Sequence, residues 1–368
     1  MSEEKELMRE PPTGGNYYGQ FVFDAEREYP TSLFLFEYNG VPFSPLGGIQ
    51  AISGQKKNGK TFFMTMLMAC ALEPDSERVR AKLPGLRLRE DAIEALGHMP
   101  VVLYVDTEME PVNTKMLQRR VHWLCGWRTD VNHPRFHIIR LRTMPDGTDV
   151  AEERRKVVRY WVEQYSPDII VIDGLRDLVH DFNDNAESAE IINRLMAMAE
   201  RRNVSIWSAL HYNPRPGNGD ESKMRGHLGT ELGNKVTDTF VSSKKRDAMG
   251  NASFTVRQVD ARNKDVEDIH FSITDEPGGG AIPRITDNVE DDPLEARDLT
   301  VDEIKALLRT TDLQWPASRS QIKNTAFGDG ISNMKKQKYL TMAINARVLI
   351  ETDQKKNGSI LLTLNPNL

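Results

Sequence analysis

The residues best equipped for chemistry lie in four short clusters. Gly54-Gln55-Lys56-Lys57-Asn58-Gly59-Lys60-Thr61 fits G-x-x-x-x-G-K-[ST], between a strand-like run and an apolar helix-like run. Glycines there let the backbone curl so that successive N–H groups point at a phosphate, and the helix N-terminus adds its positive dipole end. Lys60 then reaches the β/γ oxygens, and the Thr61 hydroxyl is a Mg²⁺ ligand. Asp173 closes the aliphatic run IIVID. A carboxylate at the C-terminal end of a parallel strand overlooks the crevice where open α/β sheets bind ligands, so Asp173 is the second candidate metal residue. Asp106-Thr107-Glu108 closes VVLYV in the same way, and a carboxylate there suits proton abstraction from water. Spacing alone does not choose between Asp106 and Glu108. His211 ends SIWSAL, where an imidazole can donate to a terminal phosphate.

Those clusters must be carried by strands and helices that end at one edge. Val101 to Asp106 and Ile169 to Asp173 read as buried strands, being short and aliphatic or β-branched, and Ile49 to Ser53, Phe136 to Leu141 and Val204 to Leu210 read as further strands. Helical spacing over Val112 to Leu124, Val150 to Tyr165 and Ala186 to Arg201 alternates with them, which predicts βα units around a parallel sheet. After Leu232 the pattern changes to β structure with short turns, at Thr239 to Ser243, Ser253 to Val259 and Ile269 to Thr274. The acid-, Pro- and Gly-rich stretch 276–298 reads as a linker, and residues 73–100 have no evident role. The expected division is an arm at 1–46, a core at 47–275, the linker, and a small module at 299–368.

Composition narrows the classes further. The chain has 368 residues, 39% hydrophobic and 28% charged, which excludes a mostly disordered or collagen-like protein. The longest near-apolar run, Thr61 to Leu72, is too short for a membrane span. The polar, acidic start MSEEKELMRE predicts neither a secretory signal nor a transit peptide, and Cys70 and Cys125 make no disulfide framework, so a cytoplasmic setting is expected. The net charge is -6, yet Leu299 to Leu368 holds ten Lys and Arg against six Asp and Glu. The methionines of TFFMTMLMACAL read as core filling.

Taken together, GQKKNGKT, LYVDTE, IIVIDGLRDLV, WSALHYNP, RGHLGTELGNK and DARNKD resemble the RecA-like ATPases, in particular the RepA-type and DnaB-type hexameric helicases of plasmids and mobile elements. The similarity runs from about Gly47 to Thr274. It implies an α/β fold with a mainly parallel sheet flanked by helices, ATP and Mg²⁺ as cofactors, and a homo-hexameric ring. It favours Glu108 as general base, assigns Asp173 to the metal shell and His211 to sensing the γ-phosphate. It also implies an arginine finger reaching the neighbouring subunit's nucleotide, at Arg262 with Lys264 two residues on; Arg225 competes for that role. The residue two before Arg262, often Lys in DnaB-like proteins, is Asp260 here.

In RecA-like motors the loop after the sensor strand faces the ring centre. Here that loop, Tyr212 to Gly226, carries Arg215, Lys223 and Arg225, cations suited to tracking a single-stranded DNA backbone, beside Asp220 and Glu221. The last seventy residues read as a winged helix: Thr300 and Ser318 can cap helices, Ser332 a third, and Asn357-Gly358 can turn a β-hairpin. Lys335 and Lys338 on the third helix, with Lys355 and Lys356 at the wing tip, would face duplex DNA. The leading expectation is therefore an ATP-hydrolysing DNA motor in replication or mobilisation of a mobile element. A DNA-binding ATP switch or loader, and a P-loop phosphotransferase, are the other classes.

Overall fold

A computed structural model describes residues 22–26, 33–211, 224, 226–246, 251–261, 264–286, 299–327, 333–356 and 359–366, with backbone alone at 333–335, 356 and 359. Chain contacts separate a short N-terminal unit, Met1–Leu33, from a large one, Phe34–Leu368.

The large unit is built on a nine-stranded sheet of order β12-β11-β10-β9-β3-β8-β7-β5-β6. Its parallel part comprises β9 (Asp238–Arg246), β3 (Ile49–Gly54), β8 (Ser205–His211), β7 (Ile169–Asp173), β5 (Val102–Asp106) and β6 (Phe136–Arg140). The antiparallel part adds β10 (Ala252–Ala261), β11 (Ile269–Glu276) and β12 (Gly280–Ile285). This is the α/β class that strand–helix alternation predicts. β12 corrects the expected linker: 280–285 is an edge strand of the core sheet, paired antiparallel with β11, and Trp123 Nε1 donates to Pro277 O at 3.1 Å in the turn before it.

Strand alternation sends side chains to two apolar layers. One face packs Ile52, Tyr104, Val171 and Trp207 under α1 (Lys60–Leu72), α2 (Glu77–Lys82), α3 (Glu90–Leu96) and α4 (Pro111–Leu124). The other packs Ala51, Val105, Ile172 and Ile206 under α5 (Val150–Tyr165), α6 (Asn185–Arg202) and α7 (Gly226–Lys235). Met64, Met66 and Met68 of α1 are wholly buried in the first layer, as core filling requires. Asp149 and Asp184 cap α5 and α6 by accepting the Glu152 and Glu187 N–H groups, which satisfies otherwise orphaned helix donors. No helix among the described residues is long and apolar enough to cross a membrane.

The expected arm boundary at residue 46 also needs correction. β1 (Phe34–Tyr38) and β2 (Val41–Pro45) belong to the large unit, in a small antiparallel sheet β2-β1-β4 whose third strand, Leu86–Leu88, comes from the stretch 73–100. Leu35, Phe36 and Phe43 are buried, and Phe43 meets Trp207 edge-on at 6.4 Å between centroids. Ser44 is tied down as well: its N–H donates to Asp238 Oδ2 at 2.9 Å, and its hydroxyl accepts from Trp207 Nε1 at 2.9 Å. Aromatic residues at 34–43 therefore serve packing.

The C-terminal segment forms α8 (Val301–Thr310), α9 (Arg319–Ala326), α10 (Asn333–Asn345), β13 (Leu349–Lys356) and β14 (Ser359–Leu364) around its own core of Ile304, Leu308, Ile322, Tyr339, Leu340 and Leu362. Thr300 and Ser318 begin the first two helices with reciprocal capping boxes to Glu303 and Gln321. Ser332 and the Asn357-Gly358 turn lie outside the described residues.

Candidate functional site

The sheet register brings the four clusters to one edge. Gly54 pairs with His211 across β3 and β8, and Asp106 pairs with Asp173 across β5 and β7. These are the C-terminal ends of parallel strands, where the loops are free to form a ligand crevice.

The loop 54–61 joins β3 directly to α1, whose start is capped by Gly59 at φ +91°. An L side chain is disfavoured there, and a Cβ would stand 2.7 Å from Phe254 and 2.9 Å from Phe271. Glycine therefore lets the loop lie against the stacked pair Phe254–Phe271. The loop is also stitched to β9, since Ser242 Oγ donates to Asn58 O. Lys60 is buried, and its Nζ donates to Gly54 O at 2.9 Å and Gln55 O at 3.0 Å. Burial lowers the Lys60 pKa, against the pull of the Asp173 and Glu108 charges.

Thr61 Oγ1 donates to Asp173 Oδ2 at 3.0 Å, so the two expected metal residues adjoin. Burial raises the Asp173 pKa, while hydrogen bonds from Tyr104 and Thr61 oppose the rise. A hydroxyl and a carboxylate are hard oxygen donors of the kind Mg²⁺ takes alongside phosphate oxygens and water. Among the described residues no group of three or more His, Cys, Asp or Glu is placed to hold a metal by itself. Thr61 and Asp173 fit a cation that shares a phosphate.

The geometry separates Asp106 from Glu108. Asp106 is buried, and its carboxylate accepts from Glu108 N at 3.1 Å, Met109 N at 2.8 Å and the Thr114 hydroxyl. Those bonds occupy Asp106 in shaping the turn that carries the next acid. Glu108 is about half exposed, with Oε1 3.6 Å from His211 Nε2. His211 lies in front of Glu108 and, followed by the charges of Lys60 and Lys56, holds its carboxyl below the usual carboxylate range against burial. The other ring nitrogen, Nδ1, is 3.4 Å from Lys60 Nζ. His211 thus bridges the loop lysine and the exposed acid.

Three contributors escaped sequence reasoning. Tyr104 donates its hydroxyl to Asp173 Oδ2. The signal was present, because a phenol inside an aliphatic buried strand needs a partner for its hydroxyl. Thr107 donates to Asp177 Oδ2 at 2.8 Å and lies against the Asp173 and Gly174 carbonyls, locking the end of β5 to the turn after β7. Gly174 makes that approach feasible: at φ +105° a Cβ would fall 2.0 Å from Thr107 Oγ1. Gly174→Ala should accordingly cost about 2 to 3 kcal/mol of stability, read as a lower urea midpoint with unchanged slope.

Arg215, Lys223, Arg225 and Arg262 lie outside the described residues; β10 ends at Ala261, one position before Arg262. Lys335 and Lys356 are described by backbone alone, in α10 and β13. Lys338 and Lys355 are exposed. Opposite Lys338 on α10, Leu340 and Ala343 are buried, while Thr341 and Asn345 share the exposed side.

Residues 38–214, just under half of the chain, match the family model of the AAA domain, a P-loop ATPase domain found in RecA-like helicase-type proteins. That match supports ATP binding and hydrolysis in general. No curated protein matches the chain.

Proposed function

We propose that the chain is a Mg²⁺-dependent ATPase with a RecA-like core that works as a ring-forming DNA motor, in replication or mobilisation of a mobile element. The observation that carries the ATPase reading is the convergence of Lys60, Thr61, Asp173, Glu108 and His211 at one sheet edge, with Thr61 bonded to Asp173.

Backbone N–H groups of the loop 54–61 and the start of α1 receive the phosphates, and Lys60 exchanges its carbonyl partners for β/γ oxygens. Thr61 and Asp173 hold the cation, which when bound offsets charge on the phosphate oxygens. Glu108, ionised at neutral pH, takes a proton from the attacking water. His211 stands between Glu108 and Lys60, where a donor to the terminal phosphate belongs. A cation from a neighbouring subunit, Arg262 or Arg225, completes the site, and that requirement calls for a ring.

The motor reading draws on the resemblance of residues 47–274 to hexameric helicases and on the cations of 212–226. The C-terminal segment, read as a winged helix, presents exposed Lys338 and Lys355 and suits duplex contact. Its separate core also favours a second reading, a non-motor ATP switch or loader targeted to DNA by residues 299–368.

ATP turnover measured with and without single-stranded DNA, together with the mass of the assembly, tests the proposal. A motor predicts hydrolysis that rises several-fold on single strands, a six-fold assembly and unwinding of a forked duplex. Slow hydrolysis indifferent to single strands, with duplex binding through 299–368, would select the switch. Phosphate transfer to an acceptor other than water would overturn both.

A further inference from the structure

We propose that Tyr104 is a positioning residue for metal-dependent nucleotide binding: its phenolic hydroxyl fixes the carboxylate of Asp173. The inference rests on the ATPase reading above.

Tyr104 lies in the middle of β5, wholly buried, two residues before Asp106 and on the same face. Its hydroxyl donates to Asp173 Oδ2, the oxygen that also accepts from Thr61 Oγ1 at 3.0 Å. Both donors therefore engage one oxygen, and Oδ1 has no protein donor among the described residues. A carboxylate held this way leaves Oδ1, among the described residues, for the water shell that a cation would bring. Thr61 cannot do this alone, because as a metal ligand it must turn toward the cation. Tyr104 has no such second duty, and its β5 backbone is paired on both sides, with β6 and β7. It is the rigid half of the arrangement. Outer-shell donors of this kind orient carboxylate ligands in many metal sites.

Packing alone does not explain a tyrosine here. Phenylalanine would fill the same space without a polar atom to satisfy. The C-terminal core provides the comparison: the buried Tyr339 hydroxyl has no hydrogen-bond partner among the described residues.

The test measures binding of a fluorescent ATP analogue to the full chain, titrated with Mg²⁺ and, separately, in EDTA. For Tyr104→Phe the Mg²⁺ concentration giving half-maximal enhancement should rise roughly tenfold. Affinity in EDTA and the unfolding temperature should stay at the wild-type values, a split that a general packing defect would not produce. In an Asp173→Asn background the same substitution should add nothing further, and Tyr339→Phe should leave the Mg²⁺ titration untouched. An unchanged Mg²⁺ requirement in Tyr104→Phe overturns the inference while leaving the ATPase reading in place, as does an equal loss of affinity in both conditions. Failure of the wild-type chain to bind the analogue at all overturns the ATPase reading and this inference with it.

Discussion

Lys60→Ala should reduce ATP turnover by roughly a hundredfold to a thousandfold, the range seen when one preorganised charge stabiliser is removed from an active site. Its Nζ already sits at the mouth of the loop, 2.9 Å and 3.0 Å from two loop carbonyls. In the bound state those partners are replaced by anionic oxygens, so the lysine contributes most as charge moves onto the phosphates. The protein itself should not suffer. Burial works against the Lys60 charge and lowers its pKa, so the desolvation that alanine relieves offsets the two loop hydrogen bonds it removes. Phosphate release and thermal unfolding on the same preparation check both halves. Undiminished turnover in a folded Lys60→Ala protein would remove the loop from the chemistry altogether.

The second large effect concerns the water-activating acid. Glu108→Gln should slow hydrolysis by roughly a hundredfold to ten-thousandfold through loss of the proton acceptor, with nucleotide affinity little changed. The expected signature is a bound ATP analogue with no phosphate release. Asp106→Asn should behave differently. Asn can accept at one oxygen only, whereas Asp106 takes two backbone N–H groups on one oxygen and the Thr114 hydroxyl on the other. Its main loss should therefore appear in unfolding, with a secondary effect on rate through a displaced Glu108. If Asp106→Asn instead abolishes hydrolysis in a fully stable protein while Glu108→Gln is active, the two acids exchange roles. The pH profile gives an independent check. Glu108 is held below the usual carboxylate range, so it stays ionised, and hydrolysis should keep this acceptor, until the pH falls through that lowered value.

What was legible in the sequence followed physical periodicity. Buried parallel strands must be continuously aliphatic, so IIVID and VVLYVD declared both their conformation and the acids at their ends. The loop at 54–61 was legible because few residue types let a backbone turn its N–H groups inward. Strand β12 was not, since Pro283 and the preceding glycines look like linker composition; an edge strand tolerates proline because one side of its backbone needs no partner. β1 and β2 were hidden for another reason. Phe36 of β1 packs on Phe43 of β2, and Phe43 in turn meets partners far away in sequence, Trp207 and Phe240, which no local pattern announces. The choice between Asp106 and Glu108 could not come from spacing either, because it turns on which carboxylate the backbone consumes.

The small sheet β2-β1-β4 carries a consequence for anyone wishing to shorten this chain. Residues 73–100 look dispensable by length, yet Leu86 and Leu88 complete the hydrogen bonding of the much earlier strand β1. Excision would expose the flank of Phe34–Tyr38 and uncover Leu35 and Phe36. During synthesis the β1–β2 hairpin likewise emerges before the strand that completes its sheet.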